Sequence, residues 1–295
     1  MASLNGCRWS VYRPDPEKVK AVADAAGVSR LFAKILIRRG LDSSEAINRH
    51  MTPSLDHIHD PCMMKGMDRA VERIVRAVDA CEQVAIYGDY DADGITALSV
   101  LKLFLESTSL PAVAWHVPDR ITEGYGVHLP ALQRMKSEGI TLIITVDCGI
   151  TAIDEIAWAR DNSIDVIVTD HHTPPETLPP ALAIINPKCD GCAFPYKGLA
   201  GVGVAFNLVV ALRKRFRGIG VWEGSTEPNL REYLDLVALG TVADVVPLNG
   251  ENRVFVTFGL KEIDLGLRPG IQSLKEVAGL GGSSVAARDL GFRLA

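Results

Sequence analysis

Long apolar runs are missing from this sequence of 295 residues. No stretch reaches the roughly 18 consecutive apolar residues that a membrane-spanning helix needs, and residues 1–13 contain no apolar core of the kind found in a secretory signal. Positive charge is not in excess either, because 31 Lys and Arg stand against 36 Asp and Glu and leave a formal net charge of −5. A membrane partner, or a protein that binds nucleic acid through bulk positive charge alone, is therefore not expected.

Cysteine is sparse as well. Six cysteines in a chain of this length without a secretory signal favour free thiols in a reducing cytoplasm, and hence a cytoplasmic location, over a disulfide framework. Cys189 and Cys192 have the spacing of half a zinc site, but no second pair lies nearby, so loop cysteines are the preferred interpretation. The sequence does contain enough apolar material, 47% of its residues, for a well-buried core.

Two regions of the chain differ in pattern. Residues 1–66 are expected to form a small helical segment, because apolar residues recur at helical spacing over 17–26 and 30–39 and Asp42–Glu45 resembles a capped helix start. Residues 67–266 instead alternate short β-branched strands with helices, and the strands are predicted at 83–87, 112–117, 141–146, 165–169 and 181–185. This pattern predicts an α/β fold with a parallel five-stranded sheet flanked by helices and with ligands at the carboxyl ends of its strands.

Three aspartates, Asp89, Asp91 and Asp93, alternate directly after the first predicted strand. Carboxylates this close repel one another unless cations lie among them, and hard cations such as Mg²⁺ and Mn²⁺ prefer oxygen ligands. The alternative is a solvated acidic turn or a calcium-type surface loop. An EF-hand does not fit, since its twelfth position would be Val100 and the loop follows a strand.

Three further acidic segments follow predicted apolar elements. Asp147 ends one strand, Asp170-His171-His172 ends the next, and Asp244 follows the apolar stretch 234–242. Carboxylates and imidazoles at one sheet edge suit two metal ions about 3.5–4 Å apart, which hydrolyse phosphate esters or anhydrides. The alternatives are a helix N-cap for Asp147, polar loop histidines, and an ion pair between Asp244 and a nearby arginine.

Two glycines, Gly201 and Gly203, open a predicted helix. Glycine at that place allows a phosphate to approach the backbone N–H groups. Tight helix packing explains the pattern equally well.

These segments resemble the motifs of a known enzyme family. GDYDADG, VDCGI, TDHH and the Asp244 segment are similar to the four motifs of the DHH phosphoesterase superfamily. PDRITEGYG, AIINPK, LAGVGVAF and LDLVALGTVADVVPL are further similar to the bacterial RecJ exonucleases, over about residues 20–295. The resemblance implies a metal-dependent 5′→3′ exonuclease that hydrolyses phosphodiester bonds of single-stranded DNA in recombination and repair. It also implies two Mn²⁺ or Mg²⁺ ions, single-stranded DNA as partner, and repair proteins such as a helicase or a single-strand-binding protein.

The same resemblance implies roles for particular residues. The metal ligands would be Asp91, Asp93, Asp147, His171 and Asp244, with Asp147 between the two ions. Asp89 and His172 would support the ligands or move protons during catalysis. Arg120 and Tyr125, together with Gly201 and Gly203, would bind substrate, although a glycine turn with a packed tyrosine explains Tyr125 as well.

One departure from the RecJ pattern concerns the end of the chain. RecJ-like enzymes carry a second catalytic domain with a GGGH-type motif, whereas Gly279–Gly282 is followed here by Ser283. We therefore expect a truncated form in which residues 267–295 begin a linker toward a missing second catalytic domain. The alternatives are a DHH-type phosphodiesterase or pyrophosphatase acting on short substrates, and an inactive fragment.

Overall fold

Five short apolar strands form one parallel sheet in the computed structural model of this chain, which describes residues 10–294. The strands lie side by side in the order β2-β1-β3-β4-β5. Their bounds are β1 Val84–Gly88, β2 Ala114–His116, β3 Leu142–Val146, β4 Asp165–Thr169 and β5 Ala183–Ile185. The α/β fold with a parallel five-stranded sheet flanked by helices, predicted from the sequence, is confirmed.

The described part of the chain divides into two compact units between His57 and Ile58. The first contains three helices, α1 Pro16–Ala26, α2 Arg30–Arg38 and α3 Ser44–Met51, and a 3₁₀ turn at Leu55–His57. The side chains of Asp15, Ser29 and Ser43 accept hydrogen bonds from backbone N–H groups at the three helix starts. The buried residues of these helices pack into a small apolar core of their own.

The second unit carries the sheet and nine helices within the described residues. They are α4 Met67–Asp79, α5 Ala92–Leu105, α6 Leu129–Ser137, α7 Ile153–Asp161, α8 Gly201–Gly218, α9 Leu234–Ala243, α10 Gly250–Leu265, α11 Pro269–Val277 and the short α12 Ala287–Asp289. Single 3₁₀ turns occupy Pro61–Met63 and Leu230–Tyr233, and a π-helical turn occupies Leu290–Leu294. Among the described residues, no helix has the length and apolarity needed to span a membrane.

Both faces of the sheet are covered by helices. Ala85 and Tyr87 of β1 and Ile143 of β3 pack with α6 and α7 on one face. Side chains alternate along a strand, so Ile86 and Ile144 face the other side, where α5 and α8 contact the sheet. Burial on both faces explains why the strands read as uninterrupted apolar runs.

Strand register decides where the site forms. Gly88 of β1 pairs with Val146 of β3, and Val146 pairs with Thr169 of β4. The three central strands therefore end at the same level, and the residues that follow them meet at one edge.

The five described cysteines are free thiols, in line with the sequence-based expectation. Cys7 lies outside the described residues.

Candidate metal centre

The carboxyl edge of the sheet collects the acids that the sequence places after the strands. Asp89 follows β1, Asp147 follows β3 and Asp170 follows β4. Asp244, at the C-terminal end of α9, joins them from a helix that packs on α5. Each of these acids directly follows a strand or a helix in sequence, and the parallel arrangement of the strands brings the acids together.

His171 lies at the centre of this group. Its Nε2 is 3.2 Å from Asp147 Oδ1, 3.6 Å from Asp244 Oδ2 and 3.9 Å from Asp93 Oδ2. Its other ring nitrogen, Nδ1, is 3.0 Å from the carbonyl oxygen of Leu199. A carbonyl oxygen can only accept, so Nδ1 carries the proton and donates it, which leaves a lone pair on Nε2 facing the carboxylates.

Three buried atoms at this point have no hydrogen-bond partner in the described part of the chain. They are Asp147 Oδ1, Asp244 Oδ2 and His171 Nε2. Buried polar atoms are nearly always satisfied, and an unpaired lone pair beside two carboxylates is unfavourable without a cation. Oxygen and imidazole donors of this kind fit a divalent ion such as Mn²⁺ or Mg²⁺.

The ligand atoms of the edge form three overlapping groups, and within each the atoms lie no more than 4.8 Å apart. The groups are Asp147, His171 and His172; Asp93, His171 and Asp244; and Asp89, Asp91 and Asp147. Asp147 and His171 each belong to two of these groups. The structure thus brings the five residues expected to bind metal to one edge, while their individual roles stay predictions.

Asp147 is held in an uncommon conformation. Its φ of 61° lies in the left-handed region, which Asp enters more readily than most side chains do. A Cβ at Gly201 would lie 2.3 Å from Asp147 Oδ1, so only glycine allows this approach. Burial and the neighbouring Asp91 charge raise the pKa of Asp147 to about 9, so without metal this group holds a proton at neutral pH.

Asp93 joins the first motif to helix α8. Its Oδ2 accepts from the N–H of Gly201 at 2.6 Å and its Oδ1 from that of Val202 at 2.8 Å. These are free N–H groups at the start of α8, where a negative charge is favoured. Burial, together with the charges of Asp147 and Asp244, nevertheless raises the pKa of Asp93 well above its usual value.

The glycines expected to bind substrate therefore have other neighbours. The N–H of Gly201 donates to Asp93, and the absence of a side chain at Gly201 leaves room for Asp147. Gly203 is buried inside α8, where a Cβ would meet Leu199 at 3.3 Å. These contacts favour the packing explanation, and they do not support the phosphate-binding prediction.

Asp91 and Asp89 differ in setting. Asp91 is exposed and caps α5, since its Oδ1 accepts from the N–H of Gly94 at 2.9 Å. Asp89 is buried and accepts from the N–H of Tyr90 at 2.7 Å, and burial raises its pKa. Asp89 belongs to one ligand group with Asp91 and Asp147, and the supporting role that the sequence resemblance implies for it stays a prediction.

Sequence reasoning missed Asp170, to which it assigned no role. This residue is fully buried and accepts hydrogen bonds from the N–H groups of Ile150, His171 and His172 and from Nδ1 of His172 at 2.7 Å. Burial acts to raise the pKa of Asp170, but the His172 contact outweighs it and lowers that pKa. The position of Asp170 at a strand end, like that of Asp147, was the signal that could have identified it.

His172, which is hydrogen-bonded to Asp170, carries a positive charge. The hydrogen bond to Asp170 raises the pKa of His172 to about 9, so the imidazole is protonated at neutral pH. Tyr125 Oη lies 3.3 Å from His172 Nδ1, and its ring packs edge-on against the imidazole. The Arg120 guanidinium lies over the Tyr90 ring, 5.4 Å from its centroid. Arg120 and Tyr125 thus flank the acidic edge with groups that suit a phosphate and a base.

Tyr87 of β1 lies two residues before Asp89 in sequence. It is fully buried among the residues that pack with α6 and α7. Its hydroxyl donates to Gly126 O at 3.2 Å and accepts from the N–H of His128 at 3.3 Å. Tyr87 therefore stabilises the loop before α6 and takes no part in the carboxylate group.

Comparison with known proteins is consistent with this geometry. The family described as DHH family, N-terminal domain, matches residues 83–241, which include most of the acidic edge. The chain belongs to the DHH family. Asp244 lies just beyond the matched range.

Curated relatives in this family share high identity. The chain is 41% identical over 288 residues to the single-stranded-DNA-specific exonuclease RecJ of Bacillus subtilis, covering 98% of this chain and 35% of the relative. It is 42% identical over 267 residues to the protein of that name from Escherichia coli, covering 90% and 46%. The chain thus spans less than half the length of these relatives.

Solved structures agree with the family. A Thermus thermophilus RecJ in complex with Mn²⁺ superimposes with a TM-score of 0.75 at 32% identity, over 96% of this chain and 38% of that one. A RecJ exonuclease bound to manganese gives a TM-score of 0.68 at 36% identity, over 81% of this chain and 57% of that one.

Proposed function

We propose that this DHH-family chain takes part in metal-dependent hydrolysis of phosphodiester bonds in single-stranded DNA, as a 5′→3′ exonuclease of the RecJ type. The observation that carries the proposal is the convergence of Asp147 Oδ1, Asp244 Oδ2 and His171 Nε2, all buried and unpaired, on one point. The names of the relatives support the substrate, and the manganese-bound structures support the metal.

The proposed ligands are Asp91, Asp93, Asp147, His171 and Asp244, with Asp147 between two Mn²⁺ or Mg²⁺ ions. When bound, such a pair would stabilise the charge that develops on phosphoryl oxygens. It would also lower the pKa of a water molecule, so that hydroxide is available as the nucleophile at neutral pH. The chain itself fixes the donors: Leu199 O holds the His171 tautomer, and Gly201 gives Asp147 the room it needs.

The remaining polar groups handle substrate and protons. His172, protonated through Asp170, places a positive charge and a proton donor beside the acids, where they can neutralise a phosphate or protonate a leaving oxygen. Arg120 supplies a second cation, and Tyr125 a ring for a base. Single-stranded DNA is the proposed partner. Repair proteins such as a helicase or a single-strand-binding protein are further proposed partners.

The test is hydrolysis by the purified chain of an oligonucleotide with a 5′-phosphate and a fluorescent 3′ end, in Mn²⁺. We expect stepwise shortening from the 5′ end, none in EDTA, and none from a strand in a blunt duplex. A dinucleotide and inorganic pyrophosphate are assayed in parallel. Hydrolysis of these two alone would replace the proposal with a short-substrate phosphodiesterase or pyrophosphatase, and the absence of all hydrolysis would contradict it.

A further inference from the structure

Asn252 is a fully buried polar residue of α10 that belongs to none of the ligand groups. Its Nδ2 donates to Gly198 O at 2.6 Å and to Pro247 O at 3.1 Å. These two carbonyls lie 49 positions apart in sequence, in two different loops. One side-chain amide therefore ties both loops to the start of α10.

The first loop sets the geometry of His171 and Asp93. Gly198 directly precedes Leu199, whose carbonyl oxygen accepts from His171 Nδ1. Two residues further on, Gly201 donates its N–H to Asp93. Movement of Gly198 would shift the acceptor that keeps the His171 Nε2 lone pair directed at the acids.

The second loop, residues 244–249, begins with Asp244. Its next residue, Val245, has a φ of 59°, and the left-handed region is unfavourable for a β-branched side chain. Strained backbone of this kind persists only where surrounding contacts hold it. The hydroxyl of Tyr196 adds such contacts, since its one proton is shared between Asn249 Oδ1 at 2.7 Å and Pro247 O at 3.2 Å.

We propose that Asn252, assisted by Tyr196, is a positioning residue of the metal centre. By joining the Gly198 and Pro247 carbonyls it holds the two loops in register, so that His171 Nε2 and Asp244 Oδ2 lie 3.6 Å apart. This inference rests on the proposed metal-dependent function and adds a residue outside the acidic motifs to it. Buried groups that orient ligands typically change metal affinity by about 10–100-fold when they are removed.

The experiment measures Mn²⁺ affinity of the full chain from the electron paramagnetic resonance signal of free Mn²⁺. Asn252→Ala is expected to weaken binding about 10-fold or more, and Tyr196→Phe by a smaller factor. The control is Asn207→Ala, which removes another fully buried amide; that side chain hydrogen-bonds Gly203 O and the Glu251 carboxylate, and it does not join the Gly198 and Pro247 carbonyls. Thermal melting in EDTA gives the stability cost of each substitution separately.

The outcomes are distinct. Weaker Mn²⁺ binding in Asn252→Ala with unchanged binding in Asn207→Ala supports the inference. Equal binding in Asn252→Ala and the wild type, or equal loss in both asparagine variants, overturns it. If Asn252→Ala does not fold, Tyr196→Phe decides, and wild-type affinity in that variant is the contrary result. A wild-type chain that binds no Mn²⁺ would instead refute the proposed function itself.

Discussion

The two ends of the sheet bury charge in opposite ways. At the amino end, Arg73 of α4 is almost fully buried and donates to Glu82 Oε2 at 2.7 Å and to Asp165 Oδ2 at 2.5 Å. Thr141 adds a hydrogen bond to the Glu82 carboxylate. At the carboxyl end, Asp147 Oδ1 and Asp244 Oδ2 are buried, and within residues 10–294 they have no hydrogen-bond partner.

The difference shows which charges serve stability and which serve a ligand. The two carboxylates of the amino end are both paired with one guanidinium from the chain itself, so no outside ligand is needed to satisfy them. At the carboxyl end, burial and the repulsion of neighbouring carboxylates raise the pKa values of Asp93, Asp147 and Asp244. We infer that cations from solution complete this end.

The largest expected effect comes from changing Asp147, the residue proposed to bind both metal ions. Asp147→Asn keeps the size and the left-handed backbone of the residue but loses its charge. Hydrolysis should fall by at least about 10³-fold, as for other residues on which a catalytic group depends. The control Cys148→Ala changes the neighbouring buried thiol, to which we assign no chemistry, and should keep most of the activity. A reversed pattern in a single-turnover assay would refute the two-metal assignment.

Breaking the amino end should cost stability and leave the metal centre intact. Arg73→Met removes the guanidinium that faces Glu82 and Asp165; because both carboxylates are partly exposed to solvent, the free energy of unfolding is expected to fall by about 1–2 kcal/mol. Mn²⁺ affinity of the folded variant should match that of the wild type. Urea unfolding and Mn²⁺ titration provide the two measurements. Loss of Mn²⁺ binding in this variant would show that the two ends are coupled.

Mn²⁺ should stabilise the folded chain, and this effect should depend on the carboxyl end and not on the amino end. At a Mn²⁺ concentration 100 times the dissociation constant, linkage predicts about 2.7 kcal/mol of additional stability. The melting temperature should therefore rise by several degrees in the wild type and in Arg73→Met. The rise should be absent in Asp147→Asn. An unchanged wild-type melting temperature in millimolar Mn²⁺ would contradict the site.

The smallest effect is a pH dependence of opposite sign at the two ends, measured in EDTA. Burial acts to raise the pKa of Glu82, but the hydrogen bonds from Arg73 lower it on balance, so its stabilisation is present at neutral pH and is lost as the solution becomes acidic. Asp147, with its pKa raised to about 9, keeps a proton that the unfolded chain has released, so stability falls as pH rises above about 4.

The variants separate these two contributions. In EDTA, Asp147→Asn should be more stable than the wild type at pH 8, and this advantage should shrink steadily toward pH 4. Glu82→Gln should be less stable than the wild type at pH 7, and the difference should shrink toward pH 4. Urea unfolding across this range would contradict the comparison if both variants changed with pH in the same direction.

Sequence reasoning worked where one element carries its own signal. The strands were recognisable because burial on both faces demands uninterrupted apolar residues, and α3 begins at Ser44 after the Ser43 cap, as its capping pattern indicates. Helix α10 was not among the predicted elements. Its buried face includes Glu251, Asn252 and Glu262, so its pattern is not that of an amphipathic helix.

The sequence by itself determined the sheet, the parallel direction of its strands and the edge at which the acids meet, because acids after consecutive parallel strands must share one end. Tertiary structure alone decided how the acids are used. Asp93 binds the start of α8, Gly201 makes room for Asp147, and Asn252 reaches back to Gly198. These contacts join residues 54 to 109 positions apart. No local pattern encodes such distances, since they depend on how whole helices pack against the sheet.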